Sequence, residues 1–161
     1  MKYKIVSDSS SNVYHFEHTD YACVPLTVRI GNEEYIDAPE TDISDMMDAL
    51  KTTKEETHTS CPNIYDWQKS FRGADTIFAV AITSGLSGSY NACVNAKMLY
   101  ENMNKHVNIH VIDSLSAGPE LRLLIEKLGA LCAEGNSFDE IVQKIEEYKK
   151  NTRLFSVWSR L

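Results

Sequence analysis

Between Thr76 and Tyr90 an unbroken apolar run gives way to hydroxyls and glycines, and this handover restricts the possible folds more than any other stretch. The run is Thr76-Ile77-Phe78-Ala79-Val80-Ala81-Ile82, and the cluster after it is Thr83-Ser84-Gly85-Leu86-Ser87-Gly88-Ser89-Tyr90. A short continuous apolar run bounded by turn residues reads as a strand buried on both faces. Beyond the cluster, Ala92, Ala96, Leu99 and Met103 recur at helical spacing, which predicts a helix with these four on one face. The cluster therefore sits at the carboxyl end of a strand, where open α/β sheets bind their ligands. Free N–H groups and the positive end of a helix dipole favour an anion there. Gly85 and Gly88 allow close backbone approach, and Ser84, Ser87 and Ser89 supply donors suited to a carboxylate or phosphate. Serine is also a preferred helix cap, so the cluster alone leaves an anion site and a plain N-cap both open.

The rest of the chain repeats the alternation. Tyr3 to Val6 reads as a first strand, followed by a second hydroxyl-rich loop, Ser7-Asp8-Ser9-Ser10-Ser11-Asn12. Asp8 suits a metal or a hydroxyl there, although such residues more often order their own loop. Ala22 to Ile30 reads as one β-branched strand, irregular or at an edge because of Pro25, and Gly31-Asn32 turns it back into Glu33 to Asp37. Asp42 is placed to cap a helix through Leu50, with Ile43, Met46, Met47 and Leu50 as its apolar face and the methionines as core. Lys51 to Ser60 holds no apolar residue and reads as a surface loop. Asn63 caps a short helix from Ile64 to Phe71. Thr59 and Ser60 thus present hydroxyls just before a helix, as Ser84 to Ser89 do. Val107 to Ile112 is a further strand. Ser116 is expected to cap the next helix, with Pro119 in its first turn and Leu121, Leu124, Ile125, Leu128, Leu131 and Cys132 as its inner face. Gly135 ends it, and Ser137-Phe138-Asp139-Glu140 is a capping box opening another, with Ile141, Ile145 and Tyr148 inward. Leu154 to Trp158 reads as a last strand. Strands alternating with helices predict an α/β fold with a mostly parallel sheet flanked by helices.

Composition excludes several classes of function. The 161 residues carry a formal net charge of -7 with no Lys/Arg cluster, which argues against nucleic-acid binding. No apolar run approaches the ~18 residues of a membrane span, so no transmembrane segment is expected, and the start Met1-Lys2-Tyr3-Lys4 lacks signal-peptide character. A cytoplasmic protein is the expectation. Cys23, Cys61, Cys93 and Cys132 form no Cys-x-x-Cys, and Cys93 and Cys132 fall in helical patterns as small buried hydrophobes.

Catalytic motifs fit poorly. No lysine follows Gly88, as a phosphate loop for nucleotide hydrolysis requires. Gly85-Leu86-Ser87-Gly88-Ser89 lacks the second glycine of a nucleophile elbow, and no histidine follows His110 to complete a triad in that order. Histidine–carboxylate metal spacings are absent, so no metal and no cofactor are expected. His58 is the nearest candidate base in sequence, although a lone loop histidine is more often solvated.

Five stretches together resemble the DegV family of bacterial fatty-acid-binding proteins. They are Lys4 to Ser11, Val24-Pro25-Leu26-Thr27-Val28, Thr59-Ser60-Cys61-Pro62, Ile82 to Tyr90, and His110-Val111-Ile112-Asp113-Ser114. Their order and spacing match across essentially the whole chain. The resemblance implies a long-chain fatty acid lying in a tunnel between two domains. Its carboxylate would be held by hydroxyls of the Thr-Ser-x-Pro loop and the Ser-Gly-Leu-Ser-Gly turn. Carried onto this sequence, the contacts are Thr59, Ser60 and Ser87, with Ser84 and Gly85 nearby and Ser89 supporting the turn. It further implies a lipid-binding carrier, not a phosphoryl-transfer catalyst, that presents the acid to a fatty acid kinase for phospholipid synthesis. Cys61 stands where family members commonly have Gln, and members are nearly twice as long. On that pattern residues 1–152 are the amino-terminal α/β domain and residues 153–161 the start of an absent second one. Two alternatives stand beside this reading: a serine-dependent hydrolase using Ser87 with a base such as His58, and a partner-binding domain without lipid.

Overall fold

The computed structural model describes residues 2–152. In chain order the elements are β1 (Tyr3–Asp8), a single 3-10 turn (Ser9–Ser11), β2 (Asp20–Val24), β3 (Thr27–Ile30), β4 (Glu33–Ile36), α1 (Ile43–Thr52), β5 (Thr57–Ser60), α2 (Ile64–Phe71), β6 (Thr76–Ala81), α3 (Ser89–Met103), β7 (Asn108–Asp113), α4 (Pro119–Ala133) and α5 (Phe138–Lys150). Strands β2-β1-β6-β7 form a parallel sheet in that spatial order, and β4-β3-β5 form a separate antiparallel sheet.

Strand alternation divides the core into two layers. Ile5, Phe78, Val80 and Ile112 face α4 and α5, where Leu121, Leu124, Ile125, Leu128, Ile141 and Ile145 close over them. Val6, Ile77, Ala79, Ala81 and Ile109 face α2 and α3, against Trp67, Phe71, Cys93 and Ala96. Every residue of β6 is buried, as the continuous apolar run predicts for a central parallel strand. The expected α/β architecture is present, with helices on both faces of the parallel sheet.

Local signals at helix ends are obeyed. Asp42 accepts the Ser44 and Asp45 N–H groups, and Asn63–Asp66 and Ser137–Glu140 form reciprocal capping boxes. Gly135 takes a φ of 75° just beyond α4, a conformation glycine adopts without steric cost.

Five expectations are corrected. Ala22 to Ile30 is not one strand: the chain leaves the parallel sheet after Val24 and enters the antiparallel one at Thr27. Pro25, which has no N–H for a ladder, lies at the break. Lys51 to Ser60 is not simply a loop, because Thr57–Ser60 pairs with β3 while staying exposed, a strand held by its backbone ladder with no apolar signal to reveal it. Met46 and Met47 are not core, since α1 has no buried residue. The inner face of α3 is Ser89, Cys93 and Ala96, with Leu99 and Met103 50% and 70% exposed. A tertiary bond from Ser89, described below, lies on that same face. Ser116 does not cap α4: Gly118 is the cap residue, and the Ser116 hydroxyl donates instead to the carboxylate of Glu120. The strand expected at Leu154 to Trp158 lies outside the described residues.

Candidate functional site

From β1 the chain moves to β2 on one side, then crosses back to β6 on the other and on to β7. The direction of winding therefore reverses between β1 and β6, which opens a crevice outside their carboxyl ends. Both hydroxyl-rich loops begin there, one after Asp8 and one after Ala81.

Asp8 holds the crevice together from below. It is fully buried, and its Oδ2 accepts the Ile82 N–H at 2.9 Å and the Ser89 hydroxyl at 2.7 Å. Its Oδ1 accepts the Ser10 hydroxyl. Burial raises its carboxyl above the usual carboxylate range, and the bonds from Ser10, Ser89 and Ile82 pull it part of the way back. Among the described residues no lysine, arginine or histidine pairs with it. On the other side Asp113, the last residue of β7, accepts the Ser84 N–H at 3.1 Å and the Ser84 hydroxyl at 2.5 Å. It also accepts the Leu115 N–H at 3.1 Å. Thr83 N–H donates to the Ser116 carbonyl at 2.9 Å, so the loops after β6 and β7 lie side by side.

These bonds sort the expected site residues. Ser84 is exposed, but its hydroxyl proton is already committed to Asp113. Gly85 is exposed, and its N–H bonds to Thr83 Oγ1 at 3.3 Å. Ser87 is half-buried, and its Oγ accepts the Ser89 N–H at 3.2 Å. Among the described residues nothing accepts the Ser87 proton, so that hydroxyl is free to donate. Ser89 is buried and turned toward Asp8. Thr59 and Ser60 end β5, opposite Val28 and Thr27. The next residue, Cys61, brings this loop to the serine turn: a Cβ added at Gly88 would lie 3.3 Å from Cys61 Sγ. The structure thus brings the two hydroxyl loops into contact through Gly88 and Cys61. Successive strand residues point to opposite sides, so Thr59 and Ser60 face away from one another.

His58 is exposed on β5 and lies 3.5 Å from Glu56. No histidine bonds to Ser87 among the described residues. Three of the four thiols are held protonated by burial, which pushes Cys23 up to about 12 and Cys132 up to about 11, and raises Cys93 well above its usual value. Among the described residues no group of three or more His, Cys, Asp or Glu is placed to hold a metal. No described helix is long and apolar enough to cross a membrane. A cavity of about 690 Å³ lies elsewhere, between Asn12–His18 and α4.

Sequence reasoning placed the serines and gave Asp8 a hydroxyl-binding or loop-ordering role, but not the bonds by which Asp8 and Asp113 arrange those serines. Asp8 and Asp113 each end an apolar strand directly before a serine. That position, an acid at the carboxyl edge of a buried strand, is the signal from which both were legible.

The chain matches the family model described as "Uncharacterised protein, DegV family" over residues 2–161. A DegV domain-containing protein of Streptococcus gordonii is 45% identical over 165 residues, covering 100% of this chain and 59% of the relative. Another, from Streptococcus pneumoniae, is 38% identical with the same coverage. The chain therefore spans about 59% of the length of these curated relatives. Among solved structures, the Streptococcus pneumoniae Fatty Acid Kinase (Fak) B3 protein loaded with linoleic acid superposes with a TM-score of 0.90 at 39% identity, over 93% of this chain and 55% of that one. A DegV family protein from Eubacterium eligens loaded with heptadecanoic acid gives 0.89 at 36% identity, over 92% and 54%.

Proposed function

Because the chain belongs to the DegV family, we propose that it is the carboxylate-gripping part of a fatty-acid carrier. The observation that carries this reading is the Ser87 hydroxyl, held by the Ser89 N–H with its own proton uncommitted, at the switch point where Gly88 meets Cys61. A donor fixed in that way at the start of α3 suits a carboxylate, which accepts only and is favoured by the helix dipole. Relatives of the same fold are described as loaded with linoleic and heptadecanoic acid.

On this reading the fatty acid brings its head group to Ser87 and to the β5 end. Thr59 is the contact assigned to β5, the strand whose end leads through Cys61 to Gly88. Ser60 turns the other way and contributes less. Ser84 and Gly85 hold the shape of the turn. The protein is a carrier that presents the acid to a fatty acid kinase for phospholipid synthesis, and the phosphoryl transfer belongs to that partner.

The test compares hexadecanoic acid with hexadecanol in the protein and its Ser87→Ala variant. A hydrogen bond to a charged group is worth about 1.5–3 kcal/mol, so the acid should bind roughly tenfold more weakly or worse. The alcohol, whose neutral head gains less, should change little. Thr59→Ala should follow the same pattern, and Ser60→Ala should leave both ligands close to wild type. Equal loss for acid and alcohol, or none for either, removes Ser87 from the head-group site. Ester turnover abolished by Ser87→Ala would replace the carrier reading with a hydrolase.

A further inference from the structure

Asp8 is the point at which the parts of the crevice are joined, yet it contacts none of the proposed ligand donors directly. Its two oxygens take the Ser10 hydroxyl from the 3-10 turn, the Ile82 N–H just after β6, and the Ser89 hydroxyl at the first residue of α3. Two further bonds extend the reach of that turn. The Ser10 carbonyl accepts the Gly118 N–H at 3.1 Å, tying in the start of α4, and Ser9 Oγ accepts the Leu26 N–H at 2.9 Å, tying in the start of the antiparallel sheet. Ser89 then passes the constraint outward, because its N–H is the donor that Ser87 Oγ accepts at 3.2 Å.

The chemistry of this relay is directional. A carboxylate accepts and does not donate, so Ser89 must give its hydroxyl proton to Asp8. With that side chain pinned, the Ser89 N–H is held toward Ser87. A serine oxygen that accepts an N–H directs its own proton elsewhere. The orientation of the Ser87 donor is thus set two residues away by a buried acid with no cation beside it among the described residues.

We infer that Asp8 is the positioning residue of the anion site, acting through Ser89 to hold the Ser87 hydroxyl with its proton directed into the crevice. This rests on the carrier reading of the same site. The consequence is selectivity: Asp8 sets the preference for a charged head group over a neutral one without touching either.

The variants are Asp8→Asn, which keeps the shape and exchanges one acceptor oxygen for an NH2 donor, Ser89→Ala, which removes the link, and Ser89→Thr, which restores a hydroxyl. Each is titrated with hexadecanoic acid and hexadecanol. Asp8→Asn and Ser89→Ala should weaken the acid about tenfold and leave the alcohol within about twofold. Ser89→Thr should recover most of the acid affinity. In a Ser87→Ala background, Asp8→Asn should have no further effect on the acid-to-alcohol ratio, because the donor it orients is gone. A merely structural Asp8 would weaken both ligands together, and that outcome overturns the proposal, as does tighter binding of the acid by Asp8→Asn. Should Asp8→Asn fail to fold, the serine variants decide by the same ratio. Should the wild-type protein bind neither ligand, the carrier reading fails and the positioning role is judged separately, from exchange of the Ser89 amide with solvent. Faster exchange there by about tenfold in Asp8→Asn, with the β6 amides unchanged, retains it, and no change removes it.

Discussion

Strands β6 and β5 both lead into loops of the proposed site, and they are built in opposite ways. All six residues of β6 are buried, whereas all four of β5 are exposed. Their surroundings differ likewise: α4 buries eight residues against the parallel sheet, and α1, beside the antiparallel one, buries none. Apolar burial of the first kind contributes roughly 25 cal/mol for each Å² removed from water. A ladder bond in the exposed sheet nets only about 1 kcal/mol, because water competes for the same groups. The antiparallel sheet is held to the rest by a few specific bonds, including Leu26 N–H to Ser9 Oγ at 2.9 Å and the Tyr14 hydroxyl to Asp37 at 2.7 Å. One side of the crevice is therefore a rigid floor, and the other, carrying Thr59, is a platform set by hydrogen bonds. A head-group site with this division can keep the Ser87 donor fixed while the β5 side adjusts.

Core truncation tests the contrast most strongly. Leu124→Ala, in the layer between α4 and the parallel sheet, should lower the unfolding free energy by about 2–5 kcal/mol. Met47→Ala, on the exposed face of α1, should change it by less than about 0.5 kcal/mol. Denaturant melts of both variants decide the matter, and comparable losses would show that α1 is as tightly packed as α4. Amide exchange gives the same comparison without mutation: β5 should open locally at lower free energy than β6.

A smaller effect lies in the segment between β1 and β2, which packs on α4 and whose Tyr14 bonds to Asp37. A Cβ at Gly129 on α4 would come within 2.6 Å of the Phe16 ring, which packs partly buried against the core. Gly129→Ala should therefore displace the ring. Overpacking costs about 1–3 kcal/mol and improved helix propensity returns up to about 1 kcal/mol, which leaves a net loss of about 1 kcal/mol. Thermal melts measure it, and a more stable variant would show that Phe16 moves aside freely.

The smallest effect concerns Asp8, the fully buried carboxylate at the end of β1. Burial raises Asp8 above its ordinary value of 3.8. Between that value and the raised one, the folded chain holds a proton that the unfolded chain has released. Stability from this group is thus fully present below the unfolded value and is lost as pH rises through the folded one. The unfolding free energy of wild type relative to Asp8→Asn should rise as pH is lowered through that interval. A pH-independent difference would show that the bonds from Ser10, Ser89 and Ile82 offset the burial of Asp8 completely.

Much of the rigid side was determined by the sequence alone. The run from Thr76 declared a buried parallel strand, the spacing of Leu121 to Cys132 declared the face of α4, and Asn63 and Ser137 declared helix starts. Each rests on residues within a turn or two of one another, so local sterics and solvation suffice to specify it. The serines of the site were legible for the same reason, as hydroxyls and glycines at a strand-to-helix handover. Tertiary structure alone decided the rest. Thr57 to Ser60 becomes a strand only because β3 supplies its ladder, and Ala22 to Ile30 divides between two sheets only because two sheets exist. The face that α3 turns inward is the one that carries the bond between Ser89 and Asp8, 81 residues apart. A hydrogen bond between residues so distant in sequence leaves no periodicity or cap to read, because its geometry exists only once the strand order has brought β1 and β6 together.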